Sequence, residues 1–225
     1  MRTLLIDGDI LVVSTGAVLE KEIDWGDDEW TLTCDVKEVK ATILDTVRRI
    51  ERDLDADASI ITLSKGLTFR HEIYPPYKAG RSRKPVGTNE VKRWLIEEHG
   101  AKLKPGIEAD DVMGILATNP RLVKIIVSAD KDMMTIPGKL YRNGEVIEIS
   151  PREARRQWLI QTLTGDTTDG YPGCPGIGPK KAADIVSEED DDAYWWPKVV
   201  ATYEKAGLPP DDALLQARLA RILHN

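Results

Sequence analysis

The sequence predicts an α/β protein: a central, mostly parallel sheet flanked by helices, with a helical module at its C-terminal end. Two observations carry that expectation. Short apolar runs at Leu4–Ile6, Ala58–Leu63 and Leu122–Ser128 alternate with helical periodicity, the order that builds a parallel sheet. From Ser150 onward the spacing is helical, apart from a Gly/Pro loop at 170–179 and an acidic run at Glu188–Asp192.

The opening MRTLLIDGDILV reads as a buried strand interrupted by acids, not as a signal peptide, with Leu4–Ile6 ending at Asp7. Trp25–Thr33 is polar-flanked and consistent with a hairpin. Asp35-x-x-Glu38 forms a capping box ahead of Val36, Val39, Ile43, Leu44, Val47, Ile50 and Leu54, whose spacing predicts a helix. Ala58–Leu63 is the next strand. Tyr74–Gly87 is rich in Pro, Gly and basic residues and predicts a mobile surface segment. Thr88–His99 is a helix with Trp94 and Leu95 inward. Glu108–Ala117 is another, and its first turn holds Glu108, Asp110 and Asp111, where the helix dipole tolerates negative charge. Leu122–Ser128 is a central strand, and Leu140–Ile149 a hairpin around Asn143-Gly144. Ser150-Pro151-x-Glu153 combines a cap, an N1 proline and a capping box, and places a domain boundary near residue 150.

The 225 residues suffice for one sizeable core and a small helical module. No apolar run approaches the ~20 residues that span a bilayer. The two cysteines, Cys34 and Cys174, make no disulfide framework and favour a reducing cytosol. The net charge of -7 argues against a nucleic-acid partner until its distribution is considered. Between Lys65 and Lys104 there are ten Lys or Arg against four Glu, enough local excess to meet phosphates.

Carboxylates cluster in four segments: Asp7; Glu108, Asp110 and Asp111; Asp130 and Asp132; Asp166 and Asp169. In an open parallel sheet, ligands bind beyond the C-terminal ends of the strands, where Asp7 and Asp130 fall. Asp166 and Asp169 are three apart and share a face on a helical turn. So many acids converge only around a cation, because their repulsion otherwise raises their pKa values. All-oxygen ligands suit Mg²⁺ with Mn²⁺ as a substitute, and no His/Cys cluster suggests zinc. Two such ions can cleave a phosphodiester.

Arg70, Tyr77, Lys78, Arg81, Arg83 and Lys84 form the basic segment; its cations suit a scissile phosphate and Tyr77 suits base stacking. Gly173, Gly176 and Gly178 precede Pro179-Lys180-Lys181, a glycine turn before a helix start, which presents N–H groups to a phosphate. No Walker A motif is present. The Trp195-Trp196 pair reads as packing.

IDGD (6–9), TFRHEIYPPYKAGR (68–81), EADD (108–111), SADKDM (128–133) and GDTTDGYPGCPGIGPKKA (165–182) occur in an order that resembles the 5′-nuclease superfamily of flap endonucleases and 5′→3′ exonucleases. The likeness is nearest to phage enzymes and the 5′-nuclease domain of bacterial DNA polymerase I. It implies a PIN-like catalytic domain over 1–150, with a short arch segment at about 74–104. It further implies a helical DNA-binding module over 151–225, with a helix–two-turns–helix motif at about 165–187. Asp7, Glu108, Asp110, Asp111, Asp130, Asp132, Asp166 and Asp169 fall on the family's metal positions. The resemblance gives Lys78, Arg81, Asp130 and Asp166 catalytic roles, and puts Arg70, Tyr77, Lys78, Arg81, Arg83, Lys84, Gly176, Gly178, Lys180 and Lys181 against nucleic acid. It implies two Mg²⁺ ions, a K⁺ ion at the glycine loop, and duplex DNA with a 5′ end, nick or flap as partner. An RNA primer strand, a monomeric state and the cytoplasm of a bacterium or phage-infected host are further expectations, with no membrane.

Two departures stand out. The family's acid shortly before the FR pair is absent from TLSKGLTFR, where Leu63, Ser64 and Lys65 stand. Gly170 replaces the usual Asn after the second acid of the GDxxD pattern. The rival readings are a junction-binding protein without catalysis, a PIN-like RNase and a Mg²⁺ phosphatase.

Overall fold

The structure, a computed structural model, describes residues 2–120 and 123–225. Strand β1 (Arg2–Asp7) runs directly into helix α1 (Gly8–Leu19). Asp7 makes the change of direction possible. Its Oδ1 accepts the Ile10 N–H at 3.0 Å, so it caps the helix while ending the strand. The strand ends at Asp7 as expected, but the rest of the MRTLLIDGDILV stretch, from Gly8 onward, is helix: Val12 packs on the sheet from α1, and tertiary burial overrides its β preference.

The hairpin of β2 (Lys21–Gly26) and β3 (Glu29–Thr33) turns at Asp27 and Asp28, both with positive φ, and stands apart from the main sheet. Helix α2 (Val36–Asp53) is capped by Asp35, whose Oδ1 accepts the N–H groups of Lys37 and Glu38. Its inward positions Val39, Ile43, Val47 and Ile50 keep the spacing legible in the sequence. Strand β4 (Ala58–Thr62), the short helix α3 (Phe69–Ile73), α4 (Thr88–His99) and α5 (Ala109–Ala117) follow. Next come β5 (Val123–Val127), a 3₁₀ turn over Lys131–Thr135, and the hairpin of β6 (Gly138–Arg142) and β7 (Glu145–Ile149) around Asn143-Gly144. Leu122, the expected first residue of β5, lies outside the described residues.

The sheet order is β4-β1-β5-β6-β7. β1 pairs in parallel with β4 and β5, β6 is parallel to β5, and β7 closes the edge antiparallel. Alternate side chains feed two cores, which is why these strands read as continuous apolar runs. Leu4, Ile6, Ile125 and Val127 pack against α1, α2 and α4; Leu5 and Ile126 pack against Met113, Met133 and Ala154.

The remaining helices are α6 (Pro151–Thr164), α7 (Pro179–Ile185), α8 (Trp195–Lys205) and α9 (Pro210–Ala220). They share a third core centred on Leu159, Leu163, Trp195 and Tyr203. Trp195 is fully buried there, as its packing role required. Between α6 and α7 the chain crosses itself: a Cβ on Gly173 would lie 2.3 Å from the Gly165 nitrogen, and both glycines have positive φ. The C-terminal tail returns to the first domain's expected territory, where Ile222 joins the Leu5 core and the Leu223 N–H donates to Asp111. No helix among the described residues is long and apolar enough to cross a membrane.

Candidate active site

The parallel strands deliver their C-terminal ends to one edge, and the acids gather there. Asp7 is buried; Ser128, just beyond β5, donates its hydroxyl to Asp7 Oδ2 at 2.8 Å and accepts the Asp130 N–H at 3.1 Å. Asp130 caps the 3₁₀ turn by accepting the Asp132 N–H at 2.8 Å. Asp110 rises from the first turn of α5. A cavity of about 610 Å³ is lined by Asp7, Asp9, Glu108, Asp110 and Asp130 together with Lys78, Arg81, Lys84 and Lys92.

Charge is uneven within this cluster. Burial, with the charges of Asp9 and Asp130 added, pushes Asp7 up to about 6. Desolvation and the Asp130 charge push Asp132 up to about 7, against a hydrogen bond from Gln161. Asp110 is raised well above the carboxylate range by desolvation and then by Asp7. Among the described residues none of these three, nor Asp130, forms an ion pair. Such oxygens lower their mutual repulsion by sharing a hard cation, and the chemistry of these donors suits a divalent metal ion.

The other acids are covered by the chain's own cations. Lys78 Nζ lies 2.5 Å from Glu108 Oε1 and 3.5 Å from Asp169 Oδ2. Arg81 Nη2 lies 2.6 Å from Asp169 Oδ1, and Lys131 Nζ 2.9 Å from Asp166 Oδ2. Burial works to raise Asp166, yet Lys131 and the N–H groups of Asp169 and Thr168 outweigh it and hold the carboxyl below its usual value. As placed here, no three His, Cys, Asp or Glu side chains among the described residues are arranged to hold a single ion.

Several expectations are corrected. Asp166 and Asp169 lie beyond the end of α6 in a turn, not on a helix: Asp166 Oδ1 accepts the N–H groups of Thr168 and Asp169 at 2.8 and 3.1 Å. Asp111 turns away from the cavity, fully buried, with both oxygens on Arg70 and further bonds from the Glu108 and Leu223 N–H groups. Arg70 is only 2% exposed and also donates to the carbonyls of Leu219 and Arg221, so it is an interior strut out of reach of a phosphate. Tyr77 is equally buried and directs its hydroxyl to Glu108 and Asp169 at 2.9 and 2.8 Å, which leaves no ring face for a base. The first half of the expected mobile segment is therefore anchored, with the Lys78 N–H on the Asp169 carbonyl at 2.8 Å. Lys78 adopts a positive φ of 58°, which breaks any helical run at that point.

Arg83 is exposed and paired with Glu20. Desolvation, and then the neighbouring charges of Lys92, Arg81 and Lys78, lower the pKa of Lys84. Lys180, Lys181, Gly176 and Gly178 lie on the surface at the start of α7, and Lys181 Nζ donates to the Gly176 carbonyl at 3.0 Å. The sequence reading missed Ser128, Lys131 and Gln161. Ser128 and Lys131 flank the acids of SADKD and were findable from that position; Gln161 carries no sequence signal, because only folding brings α6 to Asp132.

Holding this much negative charge against a row of lysines and arginines suits chemistry on a phosphate, and the class it defines is a metal-dependent nuclease. The chain belongs to the family described as 5′-3′ exonuclease, N-terminal resolvase-like domain, which it matches over residues 2–157. It is 29% identical to the exonuclease of Escherichia phage T7, over 98% of this chain and 87% of that one. It is 33% identical to the exodeoxyribonuclease of Enterobacteria phage T3, over 78% of this chain and 63% of the relative. The T5 D15 protein, whose crystals were grown with metal ions, shares the fold: the TM-score is 0.67 at 17% identity, covering 98% of this chain and 90% of that one.

Proposed function

We propose that this chain is a divalent-metal-dependent 5′→3′ exonuclease and flap endonuclease, hydrolysing DNA phosphodiesters to 5′-phosphate and 3′-hydroxyl products. The observation that carries the reading is that Asp7, Asp110 and Asp130 line one cavity together with Lys78, Arg81 and Lys84. The phage relatives' names, exonuclease and exodeoxyribonuclease, support the substrate and the reaction.

Divalent ions, Mg²⁺ or Mn²⁺ and two in number on this reading, supply positive charge at the phosphate and acidify the attacking water. Asp7, Asp110, Asp130 and Asp132 are the residues to hold them, with Glu108, Asp166 and Asp169 joining once their lysine and arginine partners turn to the substrate. Lys78 and Arg81 then meet the phosphate and stabilise the charge that develops on it. Ser128 keeps Asp7 oriented. Arg83, Lys84, Lys180 and Lys181 offer sequence-independent backbone contacts to a duplex with a 5′ end, nick or flap. A K⁺ ion at Gly176 and Gly178 requires Lys181 to leave the Gly176 carbonyl. Action on an RNA primer strand, as a monomer and in the cytoplasm, belongs to the same reading through the family resemblance.

The test is cleavage of 5′-labelled and 3′-labelled flap, nicked and blunt duplexes with Mg²⁺, Mn²⁺ or EDTA, alongside Asp130→Ala and Asp166→Ala. Metal-dependent release from the 5′ end, lost in both variants while duplex binding persists, is the expected result. Wild-type turnover in both metal-saturated variants would remove the assignment. Tight junction binding without cutting in either metal would favour a binding protein, a reading encouraged by the acid missing beside Ser64.

A further inference from the structure

We propose that Asp9 is a further metal-site carboxylate of this chain, serving the end of β4 where the strand itself carries no acid, and that the Lys92 ammonium holds Asp9 until a divalent ion displaces it. The inference rests on the nuclease reading above. Leu63, the first residue after β4, is buried in the core, so its position cannot face an ion. Ser64 is fully engaged: its N–H donates to Asp9 Oδ2 at 3.0 Å, its carbonyl accepts from Lys92 Nζ at 3.4 Å, and its hydroxyl accepts the Ala109 N–H at 2.8 Å.

Asp9 reaches this point from the first turn of α1, two residues beyond Asp7. Its carboxylate thus sits at the end of β4 and lines the same cavity as Asp7, Glu108, Asp110 and Asp130. The remaining oxygen of Asp9 is bonded by Lys92, from α4. The same arrangement recurs across the site, where Lys78 covers Glu108, Lys131 covers Asp166 and Arg81 covers Asp169. Lys92–Asp9 is one more ammonium–carboxylate pair of that kind, on the side of the cavity facing α4. A bare strut would need no position among these acids.

The experiment is calorimetric titration of the DNA-free protein with Mn²⁺ at low and high salt, using wild type, Asp9→Asn and Lys92→Met. The asparagine keeps an oxygen for the Ser64 N–H, so the loop retains its tether while losing the charge. Asp9→Asn should weaken Mn²⁺ binding by about tenfold or more at both salt concentrations, and Lys92→Met should bind Mn²⁺ more tightly than wild type. An Asp9→Asn affinity equal to wild type would overturn the inference. So would a deficit that disappears at high salt, the mark of a distant screened charge. If Asp9→Asn does not fold, Lys92→Met decides alone, and an unchanged affinity overturns the inference. A wild-type protein that takes up no Mn²⁺ would overturn the metal-dependent reading itself, a separate failure.

Discussion

Arg70 and Asp111 meet in a two-point ion pair, Nη1 to Oδ2 at 2.7 Å and Nη2 to Oδ1 at 2.8 Å, with both side chains out of contact with water. The pair joins α3 to the start of α5, and both partners also bond the C-terminal tail at Leu219, Arg221 and Leu223. It is a structural junction beneath the acidic cluster.

Arg70→Met should therefore cost ~3–5 kcal/mol, because it strands a buried carboxylate. Adding Asp111→Leu should recover part of that loss, though the Glu108 and Leu223 N–H groups then lack their acceptor. Urea unfolding of the single and double variants measures both effects. A single variant as stable as wild type would show that the pair is dispensable.

The metal-free protein should lose stability as pH rises from about 4 to about 7. Asp7 and Asp132 have folded-state pKa values of about 6 and about 7, above their ordinary 3.8. Over that window the folded state binds more protons than the unfolded one, so stability falls with pH. Asp7 alone accounts for about 3 kcal/mol at the upper end. Asp166, held low, acts with the opposite sign and only at more acidic pH. Thermal melts in EDTA across this range should show the decline, and saturating Mg²⁺ should reverse it above pH 7. Melts that stay level in EDTA would contradict the picture.

Lys78→Ala should slow the single-turnover chemical step by roughly 10²-fold or more while changing duplex affinity little, because in the proposed function its charge meets the phosphate as negative charge develops. Its tie to Glu108 makes the fold robust to the change only if Arg70 and Tyr77 continue to hold that carboxylate. Single-turnover rates at saturating enzyme, set beside Kd, separate the two effects. A raised Kd with an unchanged rate would make Lys78 a binding residue.

Gly173→Ala should destabilise the turn that carries Asp166 and Asp169. The new methyl meets the Gly165 backbone nitrogen at 2.3 Å, at a φ of 67° that favours glycine. A loss of ~1–3 kcal/mol and a fall in turnover should appear together in melting and cleavage assays. Unchanged values in both would mean that the crossing has slack.

Strands β1, β4 and β5 were legible because they feed cores on both faces and so appear as unbroken apolar runs, the β6–β7 hairpin because Asn143-Gly144 marks its turn, and α2, α4, α5 and α6 because of their caps or spacing. Helix α1 was not, since its apolar residues follow the strand without a break and its only signal is Asp7, an acid that equally suits a ligand. The acids were legible as a set. Their division into paired and unpaired groups was not, because Lys131, Arg81 and Lys78 reach their partners from distant segments.

The sequence by itself determined the residue types at the sheet edge, the family and the kind of ion those oxygens suit, since motif order and donor chemistry are properties of the chain. The tertiary structure decided which charges are buried in ion pairs and which line the cavity. Arg70, Tyr77 and Asp111 belong to matching motifs, yet burial turns them into scaffold, because a desolvated charge must spend its bonds on its nearest partner. Asp9, the last residue of the IDGD stretch, and Lys92, which lies in none of the matching stretches, meet at the cavity wall because α1 and α4 pack side by side over the end of β4.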